Sequence, residues 1–334
     1  MRVRLEDVAR AAGVSPKTVS RVLNDEANVR GPTREKVLAA MAAMDYRPHP
    51  SARSLAANRS FLVATVYDNP SSNYLTEIQT GVLDACDEHH YSMMVRPLHA
   101  DSADFVERID RLISHHRPDG LVLTPPITDH PQLLSRLHER NVPYASVSPM
   151  RRDESIGAFI DEPKAAREVV GHLLGLGHRR IAHVLGHPAH GARGWRLTGY
   201  REALSAAGIP FDPALVVDGD FSFSAGVAAA RQLFSLADRP TAVFAANDDM
   251  AAGVIWAAGE HGLSVPRDVS VVGFDDTPIS RQIWPTLTTI RQPSREMGRI
   301  AALQLLAALR GKGEGRMVQL PYALQVREST APVG

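Results

Sequence analysis

The chain has 334 residues, too many for one ordinary core, so it is expected to divide into two or three folding units. Its 44% hydrophobic and 22% charged residues, single cysteine (Cys86), strand-length apolar runs and charged start are those of a soluble cytoplasmic protein; no run approaches the roughly 18 apolar residues that cross a bilayer. Net charge is zero, but residues 1–60 carry 11 Lys and Arg against 6 Asp and Glu, leaving 26 against 31 for the remainder, so a polyanion partner is expected at the N-terminal end.

Three regions follow one another. Residues 1–46 read as short helices, residues 47–60 (RPHPSARSLAANRS) as a linker, and residues 61–334 as alternating strands and helices. In the first region Leu5, Val8, Ala9 and Ala12 stand at helical spacing. Gly13 supplies the positive φ of a tight turn, and Ser15-Pro16 supplies an N-cap with proline at the first helical position. The next helix, SPKTVSRVLN, turns Val19, Val22 and Leu23 inward and offers Pro16, Lys17, Ser20 and Arg21 outward. This is a helix-turn-helix layout, in which early residues of the second helix reach base edges. Arg and Lys suit guanine, whose O6 and N7 are adjacent acceptors. Spacing alone leaves a two-helix piece of a larger bundle open.

From Phe61 the strand candidates are FLVATVYD, SMMVRPL, DGLVLTPP, PYASVS, IAHVLG, LVVDGD, TAVFAAND and VSVVGFDD. Helical stretches lie between them at 74–89, 163–176, 198–207, 224–236 and 250–261. Such alternation predicts parallel sheets covered by helices on both faces, with ligands received beyond the carboxyl ends of the strands. Cys86, in VLDACDEH, falls on the inward side of a helix pattern.

The stretches RLEDVARAAGVSPKTVSRVLN and TREKVLAAMAAMDYRPHPSARSL resemble the headpiece, third helix and hinge helix of the LacI/GalR (Lac repressor) family. HLLGLGHRRIAHVLG, RLTGYREALSAAGI, AVFAANDDMAAGVIWAAGEHGLSVPRDVSVVGFDD and LTTIRQPSREMGR extend the resemblance to the family's sensor core. It implies an all-α helix-turn-helix headpiece with a hinge helix, then a periplasmic-binding-protein-like α/β core of two parallel-sheet subdomains. Subdomain 1 would span about 61–160 and 291–321, and subdomain 2 about 161–290 and 322–334. The implied DNA-contact set is Leu5, Ser15, Pro16, Lys17, Thr18, Ser20, Arg21, Asn24, Asn28, Ala52 and Leu55. Within it Pro16, Lys17 and Arg21 would read bases, the Ser, Thr and Asn residues would hold phosphates or support that helix, and Leu55 would wedge into the minor groove and bend the duplex. Where relatives carry a serine before the third helix this chain has Arg30-Gly31-Pro32-Thr33, so the cap is expected at Thr33 or Gly31.

The implied effector site comprises Tyr74, Ser148, His190, Arg196, Phe221, Asn247 and Asp275. Arg196, Asn247 and Asp275 can pair with vicinal hydroxyls, and Phe221 and Tyr74 can cover an apolar sugar face. Taken singly, Asp275 or Asn247 could cap a helix, Arg196 could pair with a surface acid, and Phe221 could be core. Ser148 where relatives carry aspartate, His190 where the purine-responsive type carries arginine, Glu162 where asparagine is common, and a bulky Trp195 prevent transfer of any one relative's ligand.

The expected protein is a cytoplasmic, dimeric regulator of a carbohydrate operon, with a pseudo-palindromic double-stranded operator and a sugar effector as partners, and without enzyme activity, cofactor, metal or membrane association. A purine-type metabolite is the alternative effector, and a stand-alone solute-binding module the alternative function. Fourteen histidines invite a metal search, but His172, His178, His183, His187 and His190 lack HExxH spacing and are expected at the surface or in supporting positions. No GxSxG, Walker or GxGxxG motif occurs.

Overall fold

The computed structural model describes residues 3–23, 28–46, 54, 59–152, 155–311 and 315–334. The chain divides into two units, Met1–Phe61 and Leu62–Gly334. In the first, α1 (Leu5–Ala12), α2 (Pro16–Leu23) and α3 (Gly31–Ala43) bury Val8, Ala9, Val19, Val22 and Val37 against one another. Gly13 ends α1 at φ +65°, where a side chain would strain the backbone. Ser15 caps α2: its Oγ accepts the Thr18 N–H at 3.1 Å. The start of α3 departs from expectation. Neither Thr33 nor Gly31 caps it; Arg30 is the cap residue and lends no side-chain bond. Pro32, in the first turn, has no N–H to be satisfied and is already set to a helical φ, so the turn closes without a polar cap. Asn24, Ala52 and Leu55, and with them the hinge-helix and wedge readings, lie outside the described residues.

The second unit is built on two six-stranded sheets. The first contains β1 (Leu62–Tyr67), β2 (Ser92–Pro97), β3 (Gly120–Leu123), β4 (Tyr144–Val147), β5 (Gly157–Phe159) and a strand from late in the chain, β11 (Met317–Gln319). Its order is β11-β5-β4-β3-β1-β2, and every pair is parallel. The second contains β6 (Ile181–Val184), β7 (Val216–Val217), β8 (Ala242–Ala245), β9 (Ser270–Asp275), β10 (Thr288–Arg291) and β12 (Ala323–Gln325), in the order β12-β10-β9-β8-β6-β7. Only β12 runs antiparallel to its neighbour. The helices are α4 (Ser72–Glu88), α5 (Phe105–Arg111), α6 (Pro131–Glu139), α7 (Glu162–Gly175), α8 (Gly191–Ala206), α9 (Phe223–Phe234), α10 (Asp248–Glu260), α11 (Ile279–Gln282) and α12 (Ser294–Leu309). The chain passes between the sheets after β5, after β10 and again after β11. Among the described residues no helix is long and apolar enough to cross a membrane.

Buried strands explain the near-continuous apolar runs: β3, β6, β8 and β9 have no exposed residue. Cys86 is buried on α4, as its helix pattern predicts. Glycines let helices touch backbone to backbone. A Cβ at Gly298 on α12 would stand 2.2 Å from the Ile78 carbonyl oxygen, and one at Gly81 on α4 would stand 1.8 Å from that of Arg295. Gly298→Ala must push α4 and α12 apart. We expect a loss of about 1–3 kcal/mol, read as a lower urea midpoint at unchanged m-value; an unchanged midpoint would mean that the helix pair tolerates separation.

Candidate functional site

The headpiece presents one polar face. With Val19 and Val22 buried, α2 leaves Pro16 and Lys17 exposed and Thr18, Ser20 and Arg21 partly exposed. The Ser15 hydroxyl is shared with the cap and with Thr18 Oγ1 at 2.9 Å, so both side chains brace the start of α2. Leu5 is partly buried against the headpiece core, and Asn28 is exposed ahead of α3.

In the core, a cavity opens between the carboxyl ends of the two sheets. Tyr74, Ser148, His190, Arg196, Phe221, Asn247 and Asp275 all line it. Tyr74 comes from α4, Ser148 directly follows β4, Asn247 precedes α10, and Asp275 ends β9. Three of these residues are held at positive φ: Ser148 at +46°, Phe221 at +72° and Asp275 at +113°. Non-glycine residues reach that region only when surrounding structure enforces it, and such strain gathers at functional sites.

Arg196 lies on the second turn of α8 and is almost wholly buried, with 4% of its side chain exposed. Its Nε donates to Glu162 Oε2 at 3.0 Å and its Nη1 to the Ala246 carbonyl. Its Nη2 stands 3.9 Å from Asp275 Oδ1, and its flat face covers the Phe274 ring at 3.6 Å. The acid beside Arg196 is therefore in the interior, not on the surface. Gln292 Nε2 donates to Asp275 Oδ1 at 2.5 Å. Burial pushes the Asp275 carboxyl above the usual carboxylate range, with Arg196 pulling the other way. Asn247 does cap a helix: its Oδ1 accepts the Met250 N–H at 3.0 Å, while its Nδ2 donates to the Phe221 carbonyl at 2.9 Å. Much of its bonding capacity is thus committed within the fold. Ser71 Oγ donates to Asp249 Oδ2 at 2.6 Å, tying the start of α4 to the start of α10 across the cavity.

Asn69, Ser71, Pro125, Glu162, Ala192, Trp195 and Gln292 also line the cavity without having been assigned to it from sequence. Asn69, Pro125 and Gln292 follow the carboxyl ends of β1, β3 and β10, so the strand-end rule would have found them.

The histidines are less peripheral than expected. His178, His183 and His190 are buried. His183 stacks between Phe244 at 4.4 Å and Tyr200 at 5.3 Å, and His190 leans on Phe221 at 4.8 Å. Burial lowers His183 from 6.5 to about 4 and His190 to about 3, so both rings are neutral at pH 7. The unfolded chain binds protons more readily on both, so stability is complete above about 6.5 and is lost as pH falls. One unit below that value each ring should cost about 1.4 kcal/mol. Trp195, Trp256 and Trp284 all lie in the core unit, so tryptophan fluorescence in urea reads this loss. His183→Gln is expected to reduce the slope; an unchanged slope would mean that other groups carry it.

Comparison with known proteins agrees with this architecture. Residues 4–49 match a family model described as bacterial regulatory proteins, lacI family, and residues 170–330 match a periplasmic binding protein-like domain. Over 337 residues the chain is 32% identical to catabolite control protein A of Priestia megaterium, covering 99% of this chain and 100% of that one. The Lac repressor dimer bound to operator and the anti-inducer ONPF superposes with a TM-score of 0.80 at 32% identity, over 99% of this chain and 100% of that one. The complex of the transcriptional regulator CelR with cellobiose superposes at 0.76 with 34% identity, over 98% and 100% of the two chains. These relatives are transcriptional regulators, not enzymes. A helix-turn-helix headpiece joined to a two-sheet core with a cavity between the sheets, matched along its whole length, makes this chain a member of the LacI family: a DNA-binding transcriptional regulator with an effector-binding core.

Proposed function

We propose that the protein represses a carbohydrate-utilisation operon and that a sugar held by the core cavity sets its affinity for the operator. One observation carries the sugar reading. Ser148 Oγ and Gln292 Oε1 both belong to cavity-lining residues, are buried, and have no hydrogen-bond partner among the described residues. Buried polar atoms left in that condition call for an external partner. Because Gln292 Nε2 is spent on Asp275, its orphan atom is the acceptor oxygen. A ligand rich in hydroxyls supplies the missing donors, and Tyr74, Trp195 and Phe221 offer apolar surface to sugar ring faces. The similarity to a regulator solved with cellobiose supports the same class.

Pro16, Lys17 and Arg21 are the base-reading residues in this proposal, with Ser15, Thr18 and Ser20 bracing α2. Two headpieces on a homodimer read a pseudo-palindromic site, since the symmetry of the protein imposes that of the DNA. Phe223, Trp256 and Trp284 are large apolar side chains left 43%, 50% and 81% exposed, and they suit a second copy of the chain. The effector acts by binding two core arrangements unequally, and the Ser71–Asp249 bond is one contact that such a change would make or break.

Thermal denaturation of the full chain against mono- and disaccharides and against nucleobases tests the effector class. A sugar at 100 times its dissociation constant adds about 2.7 kcal/mol, a rise of several degrees. A response to nucleobases alone, or to none of these, would overturn the sugar reading.

A further inference from the structure

We propose that Glu162 sets the charge class of the effector: by occupying Arg196 it makes the cavity acceptor-rich and closed to anions. This rests on the reading that the cavity holds the effector. A buried arginine in a ligand site ordinarily invites a carboxylate or phosphate, because its fork of N–H donors matches their oxygens. Here part of the fork is already committed. Nε donates to Glu162 and Nη1 to the Ala246 carbonyl, Nη2 stands 3.9 Å from Asp275, and the ring of Phe274 covers one face.

Glu162 is held firmly for this task. It is the first residue of α7, where the helix dipole favours a carboxylate, and only 2% of it is exposed. The preceding Asp161 caps the helix through the Lys164 N–H at 3.1 Å, leaving Glu162 to point inward at Arg196. Among the described cavity-lining residues the ionisable acids and bases are Arg196 and His190 against Glu162 and Asp275, the last with its carboxyl pushed up to about 7 by burial. His190 is kept uncharged by burial. Arg152 also feels Glu162, but it is stacked on Phe159 at 4.0 Å and Trp195 at 4.8 Å and is not part of the lining.

An arriving phosphate or carboxylate therefore meets carboxylate and carbonyl oxygens, and Arg196, the lining arginine among the described residues, already carries Glu162 as its counter-charge. Like charges brought together without water between them are strongly unfavourable. Hydroxyl donors meet the opposite situation. Independently of the charge count, Gln292 Oε1, without a partner among the described residues, wants a hydrogen-bond donor, and the Ser148 hydroxyl can take either role. A neutral polyol fits; its phosphorylated or oxidised acidic counterpart does not.

The test uses the full chain and inorganic phosphate as probe, at ionic strength matched with chloride. Phosphate should leave the melting temperature of the unmodified protein unchanged and raise that of Glu162→Gln by a few degrees. Adding Arg196→Met to that variant should remove the gain. Phosphate stabilising the unmodified protein as much as the variant, or a folded Glu162→Gln gaining nothing, would overturn the assignment. A second measurement needs no variant. Glucose 6-phosphate and gluconate should bind the unmodified protein at least about tenfold more weakly than any neutral sugar that binds; equal binding would also overturn it. If no sugar binds but the phosphate pattern holds, the sugar reading falls and the role of Glu162 stands.

Discussion

Arg196→Met is expected to destabilise the core by about 3–5 kcal/mol, the range for removing one partner of a buried ion pair. The substitution keeps most of the side-chain volume, so the loss is electrostatic. It leaves Glu162 and Asp275 buried with no cation between them, and it frees the Ala246 carbonyl and the face of Phe274. Burial already pushes the Asp275 carboxyl up and Arg196 opposes that push, so without Arg196 it rises further. A carboxyl whose folded pKa lies above its unfolded value penalises the folded state when ionised and less so when protonated. The gap between variant and unmodified protein should therefore widen as pH rises. Pairing the change with Glu162→Gln should cost far less than the sum of the two, with a coupling of about 0.5–3 kcal/mol in a double-mutant cycle. Additive losses would mean that Arg196 and Glu162 do not act as a pair.

Arg21→Ala is expected to weaken binding to the cognate operator by about 1–3 kcal/mol, roughly 5- to 150-fold, and to relax discrimination at one base pair. The physical basis is local. Ser15 caps α2, Val19 and Val22 anchor it, and Pro16, Lys17 and Arg21 remain on the part of the helix that is not buried. Guanine offers two adjacent acceptors that a guanidinium bridges. Titration of the variant on the selected operator and on random DNA separates the roles. A loss confined to the operator marks base reading, whereas an equal loss on both marks a phosphate contact and contradicts the assignment.

The headpiece was legible from sequence because its signals are local: a glycine at φ +65°, a serine cap and apolar residues at helical spacing. The eight strand candidates were legible because buried parallel strands are written as apolar runs. The strands β5, β10, β11 and β12 (GAF, TTIR, MVQ and ALQ) carry no continuous run of large apolar residues, so the apolar-run signal missed them. The helix α8 starts at Gly191, ahead of the anticipated 198, because GARGW has little helix preference and is held by packing of Trp195 and Arg196. Glu162 was visible as a departure at the start of a helix, but its pairing with Arg196 was not, since the two are 34 residues apart in sequence. The cap that Asn247 makes on the next helix was readable, being local, but the partners that Ala246, Phe221 and Glu162 supply to Arg196 and Asn247 were not, since they arrive through tertiary folding.

In the proposed mechanism, occupancy of the core cavity changes affinity for DNA. The direct measurement is fluorescence anisotropy of the full chain on its selected operator, with and without a sugar that stabilises the protein, repeated with Asp275→Asn. The sugar is expected to shift operator affinity by about 5- to 150-fold in the unmodified protein and to produce no such shift in the variant. A shift that survives Asp275→Asn, or a sugar that binds the cavity and leaves operator affinity unchanged, would contradict it.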